Sequence, residues 1–340
     1  MATDYDALLR GVAKVNVKAI GGPKAFDGIA RRYFPTEEGT DQDVIRASYE
    51  DWGVTLPDMA VRGDDPTRVN YKTPFNEKYI EGAYYFVEQE LKLADAQNRV
   101  FDEPIDSPWD VHTREVYLTA KIRDRIHRNF VFAKQKVLAD VIFTGKFTTK
   151  NGGEQSFPVV SSNLSLAGKD LSTKPIEVLS KAVQALVKKG HIVDTLILNP
   201  EDAITLVSGT AWQSILDKTH IASEMDTKAL AEDGFAYCGT IPSVGSGSLK
   251  VYAYYGTTDG SSYFVPKSSA LLVGDPIGVM GYCGVLTSQN GVQAQVSAKE
   301  MFTIDAEERG ALVKTRLQGQ TAPCPIVYNV DGYGVLTNIS

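Results

Sequence analysis

The stretch Trp109–Thr144, WDVHTREVYLTAKIRDRIHRNFVFAKQKVLADVIFT, decides the fold, because its apolar spacing predicts one uninterrupted helix closed by Gly145. At about 1.5 Å per residue such a helix spans roughly 54 Å, against a usual length of about 11–12 residues. Its start signals are explicit: Ser107 can cap, Pro108 takes the first helical position, and Asp110 falls in the first turn. Steps of about 100° per residue bring Arg114, Lys121, Arg125, Arg128 and Lys136 close to one line, a basic stripe. The opposite arc carries Ile122, Ile126, Phe130, Ala133, Val137 and Val141, an apolar face that requires a second layer. From Asp110 to Lys146, eight Lys and Arg against four Asp and Glu leave the segment at net +4, inside a chain whose formal charge is 35 minus 42, or -7. A solvated face laced with salt bridges explains such a stripe without any nucleic acid.

The 340-residue length points to about two domains, and 43% hydrophobic with 23% charged residues is ordinary globular composition. The acidic balance argues against a dedicated DNA-binding protein, so any DNA contact is expected to be weak and nonspecific. Cys238, Cys283 and Cys324 are widely spaced, odd in number and without a nearby CxxC or His, which suggests neither a disulfide framework nor a zinc site and fits a reducing origin. Met1–Arg10 has no apolar run, and no stretch approaches the roughly 20 apolar residues of a membrane span, so neither export by signal peptide nor membrane insertion is expected.

Upstream of the helix, residues 1–50 form a poor independent core, and an arm packing on other subunits is the economical reading. Residues 52–75 alternate loosely around the turn Arg62-Gly63-Asp64-Asp65-Pro66 and read as a long projecting hairpin. The run Tyr84-Tyr85-Phe86-Val87 suits a strand or a buried helix start. Downstream, Pro175–Lys189 predicts an amphipathic helix on Ile176, Leu179, Val183, Leu186 and Val187. Thr195–Leu198 predicts a short buried strand, with Asn199 capping a helix that begins at Pro200. Lys250–Tyr255, Ala270–Val273 and Val292–Phe302 are strand-like, which makes residues 173–320 a mixed α/β unit, and Ile326–Val330 is a further, final strand.

Catalytic patterns find little support. Gly245-Ser246-Gly247-Ser248-Leu249-Lys250 lacks phosphate-loop spacing and leads into a strand. His112, His127, His191 and His220 are scattered, and carboxylate pairs such as Glu307-Glu308 read as turns or helix starts. No catalytic, cofactor or metal residue is expected.

The order of an arm, a projecting hairpin, a lone spine helix ending in Thr144-Gly145-Lys146, an α/β unit and a return strand resembles the major capsid proteins of tailed bacteriophages. Among these it resembles the lambda-type major capsid protein E family, with its α+β HK97-like fold. The likeness rests on Val69–Phe75, on Arg123–Lys146, and on Ile197-Leu198-Asn199-Pro200. It rests further on Tyr254-Tyr255 with Asp259-Gly260 and Val265-Pro266, and on Ala322–Ile326 followed by Asn329–Gly332.

The resemblance implies an N-terminal arm over 1–51, an extended E-loop hairpin over 52–80 and a peripheral P-domain over 81–172 with spine helix 109–144. An A-domain over 173–320 and a C-terminal return to the P-domain over 321–340 complete it. It also implies a virion protein assembled in the host cytoplasm as hexamers and pentamers of an icosahedral shell around double-stranded DNA. Its partners would be a separately encoded scaffolding protein, a decoration protein and a portal at one vertex. The E-loop tip residues Arg62, Asp64, Asp65 and Arg68 would contact a neighbouring subunit. The basic stripe would face packaged DNA or a neighbour's acidic hairpin tip, with the second favoured for Arg125 and Arg128. Lys72 or Lys78 with Asn329 or Asn338 are the suggestive crosslinking pairs, but no crosslinking is expected, and a single band on boiled denaturing gels of assembled particles checks it. The rival readings are a tail-tube or portal subunit, an encapsulin-type compartment shell and, least favoured, a soluble enzyme.

Overall fold

The computed structural model describes residues 25–49, 76–91, 111–149, 151–156, 163–165, 171–216, 233–244, 247–289, 292–309, 312–328 and 332–339. In chain order the first elements are α1 (Gly28–Tyr33), β1 (Thr36–Gly39), β2 (Val44–Tyr49), β3 (Asn76–Glu81) and β4 (Tyr85–Leu91). The spine helix α2 (Val111–Ala139) follows, continued by a π-helical turn (Asp140–Thr144) and by β5 (Lys146–Thr148), β6 (Glu154–Ser156) and β7 (Asn163–Ser165). Next come α3 (Pro175–Val187), β8 (Val193–Leu198), α4 (Pro200–Ser208), α5 (Thr210–Ile215), β9 (Phe235–Val244) and β10 (Gly247–Tyr254). Strands β11 (Ser269–Gly274), β12 (Gly278–Tyr282), β13 (Val285–Gln289), β14 (Val292–Val296), β15 (Met301–Arg309), β16 (Leu312–Thr321), β17 (Pro323–Val327) and β18 (Tyr333–Thr337) complete the chain.

The spine is not α-helical to its end. Its last five residues form the π turn, in which the Thr144 hydroxyl donates to the Asp140 carbonyl at 2.6 Å and takes the place of a backbone donor. Gly145, left-handed at φ 70°, then closes the helix by donating its N–H to Val141. The expected apolar arc is buried, and it serves two different partners. Ile126 and Phe130 pack with Leu317, Tyr85, Val87 and Phe302 on the antiparallel sheet β15-β16-β4. Gly319 makes this approach close, since a Cβ there would lie 2.5 Å from Ile126 Cγ2 and 2.9 Å from Phe130 Cζ. Val137, Leu138, Val141 and Ile142, about two to three turns further on, join the main core instead.

That core lies under a six-stranded sheet of order β7-β18-β11-β8-β10-β9, in which β8 pairs with β10, and β18 with β7, in parallel. Strand pleating sends alternate side chains to opposite faces. Ile197, Leu271, Val273, Tyr252 and Tyr254 face the spine helix, whereas Leu196, Leu198, Val251, Ala270 and Leu272 meet α3, α4 and α5 through Leu179, Val183, Leu206 and Trp212. Burying each of these larger side chains contributes roughly 1.5–3 kcal/mol, so covering both faces makes this sheet the stable centre of the molecule. On α3, Ile176 and Val187 are exposed instead of buried, because the sheet covers a narrower arc than the sequence pattern suggests.

Asn199 caps α4 as its sequence predicts: its Oδ1 accepts from Glu201 N–H at 2.9 Å, while its buried Nδ2 donates to the Val265 carbonyl at 2.7 Å. Asn199→Ala removes the cap and strands the Val265 carbonyl, an expected loss of about 2–3 kcal/mol read from the urea midpoint.

Three expectations about organisation change. Residues 301–320, assigned by sequence to the α/β unit, lie in the sheet that β15 and β16 form with β4 beneath the spine helix. The return segment divides: β17 pairs with β12, whereas β18 enters the six-stranded sheet beside β11. The second half of the expected arm belongs to the body, with Ile29, Ala30, Tyr33 and Phe34 buried in the main core. All three depend on long-range pairing, which local patterns do not encode.

Candidate inter-subunit surfaces

Strands β2 and β3 pair antiparallel from Val44↔Glu81 to Tyr49↔Asn76, and residues 50–75 connect their far ends. At the root, Ile80 is fully buried and Ile45 packs against the core. One residue further out, Tyr79 is 62% exposed. Ile45 and Ile80 thus root the ribbon in the body, and the next pair outward, Arg46 and Tyr79, is exposed. The tip residues Arg62, Asp64, Asp65 and Arg68 lie outside the described residues.

The basic stripe lies on the spine face turned away from both cores, and its members differ. Arg125 is exposed. Arg128 donates to the Asp124 carboxylate at 2.8 Å, Lys136 reaches Asp140 at 3.5 Å, and the Lys121 ammonium sits 4.5 Å from the Tyr117 ring centre. The side chain of Arg114 lies outside the described residues. Two of the four described members are thus paired with carboxylates of the spine itself, as i,i+4 spacing allows.

Sequence reasoning missed Lys134. It lies four residues after Phe130 and three before Val137, which places it on the apolar arc, and it is only 6% exposed. A lysine on a buried face demands a buried counter-charge, and that was the available signal. The counter-charges are Asp27 at 3.3 Å and Glu37 at 3.9 Å, both from the N-terminal segment. A cavity of about 170 Å³ beside it is lined by Arg31, His127, Lys299 and Glu300 among others. His127 Nδ1 lies 2.8 Å from Glu300, and Lys299 lies 2.5 Å from Glu37. These polar groups face one another in ion pairs and hydrogen bonds and hold segments of the chain together.

Cys283 and Cys324, distant in sequence, sit together at the end of the β12-β17 pair. A thiol–thiol hydrogen bond, reinforced by burial, pushes the Cys324 thiol well above its ordinary pKa, so it stays protonated and unreactive. The described part of the Gly245–Lys250 run, from Gly247 onward, opens β10, which pairs with β9. The Asp259 carboxyl is held well below its usual range by hydrogen bonds from the Ser262 and Ser261 amides and hydroxyls, which close a surface turn. Among the described residues, no group of three or more His, Cys, Asp or Glu is placed to hold a metal, and no helix is long and apolar enough to cross a membrane.

No family model and no curated protein matches the chain by sequence. In structure, the chain is similar to the crystal structure of a protein assigned to the capsid of an Escherichia coli CFT073 prophage. The two share 15% identity and a TM-score of 0.69, with 100% of each chain covered. It is more loosely similar to the bacteriophage PhiM1 mature capsid, at 9% identity and a TM-score of 0.49 over 93% of this chain and 88% of that one. A structure from Mycobacterium phage Ogopogo gives 12% identity and 0.48 over 95% and 99%. Scores near 0.5 fix no residue correspondence. The fold is the α+β HK97-like capsid fold that the sequence resembles.

Proposed function

We propose that this chain is a major capsid protein of a tailed phage, a structural and not a catalytic subunit, assembling with copies of itself into hexamers and pentamers of an icosahedral head around double-stranded DNA. The observation that carries the reading is the end-to-end agreement in fold with the prophage capsid protein. The β2-β3 ribbon supports it, since a ribbon rooted at Ile80 and exposed at Tyr79 finds burial on a neighbour in a closed symmetric shell. A separate scaffolding protein, a decoration protein and a portal belong to the same reading, as do assembly in the host cytoplasm and residence in the virion. Negative-stain microscopy of the purified chain tests it: closed shells are expected, whereas tubes or discrete small oligomers overturn it.

Within that reading, the tip residues Arg62, Asp64, Asp65 and Arg68 contact the next subunit, and Arg125 with Lys121 forms the part of the stripe offered to a neighbour or to DNA. Arg128 and Lys136 instead stabilise the spine. Arg125→Glu is expected to change subunit stability by less than about 0.5 kcal/mol, since the side chain is exposed, while lowering particle yield because every copy repeats the reversed contact. Thermal melting paired with sedimentation of assembly products reads both halves. Equal yield from the variant removes Arg125 from the interface.

A further inference from the structure

We infer that Lys134 is a register pin, a single buried cation that fixes where the N-terminal segment crosses the spine helix. Asp27 lies immediately before α1 and Glu37 lies in β1, so Lys134 holds the segment on either side of its apolar middle. That middle, Ile29, Ala30, Tyr33 and Phe34, repeats at one-turn spacing. A slip of one turn would lay Tyr33 and Phe34 where Ile29 and Ala30 had been, again an apolar pair, so hydrophobic character alone does not name the position.

The charges do discriminate. The same slip would bring Arg31 into the place of Asp27, setting a guanidinium against a buried ammonium, and the opposite slip would offer Pro23, which has no charge. The pin is also asymmetric. Without Lys134, Asp27 still accepts from Arg31 at 2.8 Å and Glu37 still has Lys299 at 2.5 Å and the Tyr282 hydroxyl at 3.5 Å. Without the two carboxylates, Lys134 would be left buried beside Arg31, Lys299 and His127, with Glu300 already engaged by His127.

Removing the cation therefore loosens the segment, whereas removing the acids damages the whole fold. Hydrogen exchange read by mass spectrometry on the full chain tests the pin without shells. In Lys134→Met, amides of 28–39 are expected to exchange at least tenfold faster than in the parent, β8 and β11 are expected to stay within about twofold, and Lys134→Arg is expected to restore most of the protection. Asp27→Asn with Glu37→Gln is expected to lose protection everywhere. Unchanged exchange in Lys134→Met, acceleration spread evenly over the chain, or a Lys134→Met chain that fails to fold while the double acid variant folds would each overturn the inference. A parent chain that forms no shells would sink the capsid reading and leave this result standing.

Discussion

A chain lacking Asp58–Thr73 is expected to fold, remain soluble and form no closed shells. The deletion falls between strands whose register ends at Tyr49↔Asn76, so the remaining residues can still close the connection while the root contacts of Ile45 and Ile80 stay in place. Subunit stability should change little, because the main core among the described residues is built by other segments. Assembly should fail, because a stable interface buries on the order of 1,200–2,000 Å², and within the proposed capsid reading the ribbon supplies part of that area in every subunit. Near-parental thermal melting together with a sedimentation profile empty of particles is the expected pair of results. Normal particles from the deletion would strip the ribbon of its assembly role, and an unfolded chain would mean that the ribbon supports its own subunit.

Phe34→Ala should have the largest effect on the subunit itself. Phe34 is 1% exposed in the main core, close enough to β12 that a Cβ on Gly278 would lie 2.9 Å from its ring. Truncation of a buried phenylalanine costs about 3–5 kcal/mol, since the backbone on both sides cannot collapse into the space left behind. Phe86 serves as the control: it is 48% exposed on the outer face of β4, and its truncation should cost less than about 1 kcal/mol. Urea titration of the two variants separates them. Equal midpoints would mean that the N-terminal segment is a detachable arm after all.

The contrast shows what local pattern conveys. The spine helix was legible because its apolar side chains recur at helical spacing and Gly145 marks its end. The Leu198-Asn199-Pro200 junction was legible because capping is decided within a few residues. The burial of Ile29 and Phe34 was not, since a short apolar cluster looks the same whether its partner is its own chain or another. Lys134 was hidden for a related reason: its position on the apolar arc is visible, but its carboxylates stand about a hundred residues away in sequence. The tip residues Arg62, Asp64, Asp65 and Arg68 keep the standing that the sequence gives them.

The sequence by itself determined the beam, the α/β junction and the basic stripe, because periodicity, capping and net charge are properties of neighbours along the chain. Tertiary structure alone decided that one helix serves two cores and that 301–321 and 333–337 belong to different sheets. It also decided that Arg128 and Lys136 are engaged while Arg125 is offered outward, and that a lysine fastens the N-terminal segment. Each of these depends on which distant segments meet, and that is set by the burial of whole faces, not by any residue's preference for its own conformation.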